Sequence, residues 1–141
     1  MAEKRIEKEK LIYAYLAEHA DVICEKFSER QWNFLKSLLR DYLEKLRSAK
    51  DEDTFNRIRR DLFTELLIFQ PIYELVKGVD SGTMRITARG ILEKTHTPQD
   101  WETRIPENVR KRMRDEQILR LVEDALKAVE KAAENRCWEK R

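Results

Sequence analysis

The sequence predicts an all-α fold: an antiparallel bundle of four main helices, with one or two short helices before the last. Three observations carry this. Apolar residues recur at three- and four-residue spacings in every long segment, and no stretch shows convincing strand-like alternation. Only three glycines and three prolines occur among 141 residues. Charged residues make up 40% of the chain, against roughly 25% in an average globular protein. They sit between the apolar stripes, as the solvated faces of amphipathic helices do.

The first helix is expected over about Ala2 to Phe27, where Ile6, Tyr13, Leu16, Ala20, Ile23 and Phe27 form a coiled-coil-like seam. Ser28-Glu29-Arg30-Gln31 is a capping-box pattern that restarts the chain. The second helix follows, with a wide stripe of Trp32, Leu35, Leu38, Leu39, Tyr42, Leu43 and Leu46. Lys50-Asp51-Glu52-Asp53-Thr54 breaks the chain again and places acids where a helix N-terminus favours negative charge. The third helix runs from Phe55 to Val76 and ends at Gly78. It is apolar all round from Leu66 to Phe69, which marks it as the central helix, with a kink or break at Pro71.

Val79 to Thr83 is a loop by composition, and Met84 to about Thr95 reads as a fourth, short helix weakened by Gly90. Thr97-Pro98-Gln99-Asp100 is a helix-start signal leading into a single turn with Trp101. Pro106 opens the last helix, whose stripe of Val109, Met113, Ile118, Leu121, Val122, Ala125, Leu126 and Val129 reaches Asn135 or beyond. The chain is expected to be a single helical domain: a three-helix scaffold over 1–78, short elements over 84–105 and a long helix over 106–138. That length supports a core without a metal or disulfide staple.

Composition also bounds the setting. Cys24 and Cys137 lack a metal-type spacing, which favours a pair of reduced thiols in a cytosolic protein, with a bridge between them as the alternative. The N-terminal stretch has no apolar signal-peptide core, and no run reaches the ~18 apolar residues of a membrane span. A soluble, cytoplasmic protein is expected, with no membrane partner. The abundance of Lys, Arg and Glu leans towards a thermophilic, prokaryotic source.

Catalytic patterns are sparse. No phosphate-cradling glycine loop, Ser/His/Asp ordering or zinc spacing is present. Glu93 and His96 have the Glu-x-x-His spacing of a di-metal helix, but such sites need a second pair, and His19 has Leu16 three residues before it. Arg89 and His96, separated by six residues, resemble the Arg-then-His spacing of HEPN-type ribonucleases. That resemblance implies phosphate stabilisation by Arg89 and acid or base work by His96. No catalytic residue, metal or cofactor is expected from the remaining pattern.

The charge distribution is more informative. Residues 84–114 carry eight basic side chains (Arg85, Arg89, Lys94, Arg104, Arg110, Lys111, Arg112, Arg114) against four acidic ones (Glu93, Asp100, Glu102, Glu107), in a chain of net charge +2. Guanidinium groups bond phosphate in a fork, and a helix N-terminus adds backbone donors. Arg85, Arg89, Arg104, Arg110, Lys111 and Arg114 are therefore the candidate contacts to an RNA or DNA backbone. The bland alternative is a solvated face neutralised by helix-spaced acids such as Glu107, Asp115 and Glu116. Trp101 and Trp138 are candidate anchors for a protein partner, another subunit or a second copy of the chain. The expected function is a non-catalytic subunit or adaptor of a nucleoprotein assembly. The alternatives are a protein–protein scaffold and a HEPN-like ribonuclease.

Overall fold

The computed structural model describes residues 2–97 and 100–139, with side chains from Arg5 onward. Among these residues the fold is mainly helical, with one small sheet. The elements are α1 (Ala2–Cys24), α2 (Glu29–Ser48), α3 (Glu52–Leu66), α4 (Gln70–Ser81), β1 (Met84–Ile86), β2 (Leu92–Lys94), α5 (Trp101–Arg104), α6 (Glu107–Asp115) and α7 (Ile118–Glu134), closed by a 3-10 turn at Cys137–Glu139.

The central helix is α1, not the 55–76 stretch. Six consecutive residues, Leu11 to Leu16, are buried, and α1 packs against α4, α6, α7 and the 3-10 turn. Burial on every side requires apolar residues on every side, and Leu-Ile-Tyr-Ala-Tyr-Leu supplies them. α7 lays Leu121, Val122, Ala125, Val129 and Ala132 on this core. α2 covers the other side of α7, and the Trp32 indole donates to the Val129 carbonyl at 3.1 Å. The α2 start matches its sequence signal: Ser28 and Gln31 exchange side-chain and backbone hydrogen bonds at 3.0 and 3.1 Å.

The Phe55–Val76 stretch is two helices. α3 ends at Leu66 and α4 begins at Gln70 with Pro71 in its first turn. Proline has no amide to donate one turn back and clashes with the carbonyl there, so the chain leaves helix before it. Ile68 is consequently exposed at 63%, while Leu66 and Phe69 on either side are buried. α4 then runs past Gly78 and ends at Gly82, whose φ of +82° suits a left-handed cap. Gly78 is needed for another reason: a Cβ there would lie 2.2 Å from Met84 Cγ.

Residues 84–95 form no helix. β1 and β2 pair antiparallel with Met84 opposite Lys94 and Ile86 opposite Leu92. The turn closes through Thr87 N–H to the Ile91 carbonyl at 2.8 Å, and Gly90 takes φ +87°. Ile86, Thr87, Ile91 and Leu92 are the apolar and β-branched residues that favour this state. The hairpin packs on α4 and α5. Its turn reaches α1, where the Tyr15 hydroxyl donates to the Gly90 carbonyl.

α5 is the expected single turn containing Trp101, although Pro98 and Gln99 of its start signal lie outside the described residues. The expected last helix is divided into α6 and α7 at Glu116 and Gln117, both with extended backbone. Met113 and Ile118 are both buried, yet five residues apart they would face about 140° away from each other on one straight helix. The break lets both enter the core. Finally, the cysteines are not reduced thiols: Cys24 and Cys137 form a buried disulfide across 113 positions, joining the end of α1 to the 3-10 turn.

Candidate nucleic-acid interface

The fold separates the basic segment into several environments. Arg85, on β1, pairs across the hairpin with Glu93, its Nε donating at 2.7 Å. Arg89 sits exposed in the hairpin turn and has no carboxylate in ion-pair reach among the described residues. Arg104 reaches back to the end of α4 and donates to the carbonyls of Val79 and Asp80. A cation is favourable there because helix C-terminal carbonyls carry partial negative charge. Its guanidinium carbon also stands 5.9 Å from the Trp101 ring centroid.

α6 sends its charges two ways, because Val109 and Met113 turn inward and fix its orientation. Arg110 and Arg114 border a cleft of about 400 Å³, together with Trp101, Met113, Ile6, Lys10, Glu7 and Glu102. Arg110 donates to the Ile105 carbonyl at 3.0 Å and pairs with Glu107 at 2.7 Å. Among the described residues Arg114 makes only long ion-pair contacts, 3.6 Å each, to Glu107 and Asp115. Lys10 crosses from α1 and donates to the Met113 carbonyl at 3.3 Å. Among the described residues the cleft thus has an apolar floor, three cations and two carboxylates. Lys10 was not legible as a site residue in the sequence, because only the packing of α1 on α6 brings it there.

Lys111 and Arg112 face a different depression, with Glu18, Asn108, Asp115 and Glu116. Lys111 pairs with Asp115 at 3.3 Å. Arg112 is enclosed by Glu18 of α1, Glu116 at 3.3 Å and Asp124 of α7 at 2.9 Å. Partial burial pushes the Glu18 carboxyl up, but hydrogen bonds from Arg112 and Asn108 and the Arg112 charge outweigh it and hold it below its ordinary value. This network joins α1, α6 and α7 at the corner where the last helix breaks. Its role is structural, and Lys111 does not share the cleft with Arg110 and Arg114.

The two tryptophans are apart as well. Trp101 lines the cleft, half-buried and packed on the core. Trp138 lines a groove between α2 and α7 with Asn33, Lys36, Arg40, Glu130 and Arg136. The Arg89 and His96 pair is split by the hairpin. Arg89 lies in its turn and His96 beyond its open end, four positions past Leu92, which is roughly 13 Å along an extended chain. Glu93 lies on a strand and bonds Arg85, so the helical Glu-x-x-His face does not form. No helix among the described residues is long and apolar enough to cross a membrane. No family model, curated protein or solved structure matches this chain.

Proposed function

We propose that this chain is a non-catalytic binding module of a nucleoprotein assembly, its helices an antiparallel bundle, that contacts nucleic-acid phosphates through the α1–α5–α6 cleft. One observation carries the reading: Trp101, Arg110 and Arg114 line one concave surface, and α1 adds Lys10 to it. The acids beside Arg110 and Arg114 do not forbid phosphate. Glu107 is 63% exposed, and exposed ion pairs contribute about 0–1 kcal/mol, so a phosphate can replace it. Arg104 is held by the Val79 and Asp80 carbonyls, and Arg85 and Lys111 line no part of the cleft, so these three drop from the proposed contacts.

A titration of short RNA and DNA at two salt concentrations tests this. Replacing Lys10, Arg110 and Arg114 by Ala should weaken binding to unrelated sequences alike, because phosphate contacts carry no base information. Lys111→Ala should leave affinity within about twofold, as a surface change outside the contact does. Unchanged binding by the triple variant would defeat the reading. A protein-scaffold reading has its own support: Phe34, Ile68 and Tyr73 are 43–63% exposed, with the Phe34 ring 5.7 Å from Phe69. Clustered exposed apolar side chains mark protein contacts.

A further inference from the structure

We infer that the α1–α5–α6 cleft takes a base of single-stranded nucleic acid, with Trp101 as its stacking platform; the inference rests on the phosphate-contact reading above. A surface that only tracks backbone has no use for a concave apolar floor. This one has Ile6, Met113 and Trp101 in a volume of about 400 Å³, within the range of small-molecule sites. Duplex bases are stacked inside the helix, and bringing one out costs a few kcal/mol. An unpaired base enters without that cost.

Trp101 is held for the task. It packs on the core through α5, and Arg104, anchored on the Val79 and Asp80 carbonyls, lies near it with its guanidinium carbon 5.9 Å from the ring centroid. A ring fixed before binding loses little entropy when a base stacks on it. The cations suit the flanking phosphates: Arg110 and Arg114 lie one helical turn apart, and Lys10 faces them from α1. Glu7 and Glu102 share the lining. They limit how many phosphates the cleft accepts and accept hydrogen bonds from the exocyclic amines of a base.

The test is tryptophan emission in the full chain, titrated with a short single-stranded oligonucleotide and with its duplex. Trp32 is fully buried and Trp138 lies in a separate groove, so Trp101 should carry the signal. The single strand should quench emission and bind at least about tenfold tighter than the duplex. Trp101→Ala should weaken single-strand binding about five- to hundredfold, the usual loss of one stacked base. Trp101→Phe should retain most of the affinity while abolishing the quench. Equal affinity for both forms, with no Trp101 quench, would overturn base insertion and leave the phosphate reading standing. A Trp101→Ala variant that loses single strand and duplex equally would also overturn it. Failure to bind either form at low salt would bring down both.

Discussion

The Cys24–Cys137 bridge offers the most direct measurement. It closes a loop of 113 positions. In the chain-entropy treatment, closing such a loop removes about 16 cal/mol/K from the unfolded ensemble, or about 5 kcal/mol at 25 °C. Native disulfides deliver about 2–5 kcal/mol in practice, against a total domain stability of about 5–15 kcal/mol. Opening this bridge should therefore remove a large fraction of the stability. The assay is urea unfolding followed by circular dichroism, with and without a non-thiol reductant. Reduction adds only two hydrogens, so the change in midpoint reports the crosslink. Buried as they are, Cys24→Ala and Cys137→Ala together should show at least the same loss. A change below about 0.5 kcal/mol on reduction, the size of a neutral surface substitution, would refute the reasoning. So would two titratable thiols in the unreduced, unfolded protein.

Three further outcomes follow from buried contacts. Arg59 and Glu9 form an ion pair with side chains 9% and 0% exposed, so Arg59→Met alone should cost about 3–5 kcal/mol. Glu9→Met with Arg59→Met should recover most of that loss in the same urea assay, and equal losses in both would contradict a pair-specific cost. Gly90→Ala forces a Cβ to 2.4 Å from His19 Cγ at a φ of +87°, which should cost about 2–4 kcal/mol. Amide exchange should then quicken across residues 84–94, and unchanged exchange would show the turn is not docked on α1. Burial holds the His19 imidazole below its ordinary 6.5, Glu18 and Asp21 opposing it. The unfolded state then binds a proton first, so this contribution to stability is present above pH 6.5 and is lost as pH falls towards the folded value. His19→Gln should flatten the wild-type profile in that window, and identical profiles would remove the assignment.

Much of the helical content was legible because amphipathic spacing and capping survive in the sequence: α2 and α5 lie where their signals put them. The misreadings have physical causes. Leu66–Phe69 looked central because it is apolar on all sides, but Pro71 stops the helix there and exposes Ile68. The run Leu11–Leu16 carries the same signal without a proline. The hairpin was hidden by the shortness of its strands, three residues each, too few for alternation to show. The five-residue step from Met113 to Ile118 was a legible sign of the α6–α7 break. By contrast, nothing local connects Lys10 to Arg110. They share a cleft only because α1 packs on α6.

The same difference between sequence and space sets the size of the binding footprint. Read along the chain, six cations of the 84–114 segment are available to phosphate. If all six engaged a single strand, affinity would fall with a salt slope of about −4. In the fold, α4 carbonyls hold Arg104, while Arg85, paired with Glu93, and Lys111, paired with Asp115, line no part of the cleft. Arg89 stands at the hairpin turn, on an element that lines no part of the cleft. What remains is Arg110 and Arg114, to which α1 adds Lys10. Three contacts give a slope of about −2, with the rest of the affinity drawn from stacking, which salt screens little. Measured over several salt concentrations, a slope near −2 that moves towards zero in the Lys10, Arg110 and Arg114 variant fits a small cleft. A slope near −4 that survives those substitutions would return the paired arginines to the interface and dissolve the cleft as the binding site.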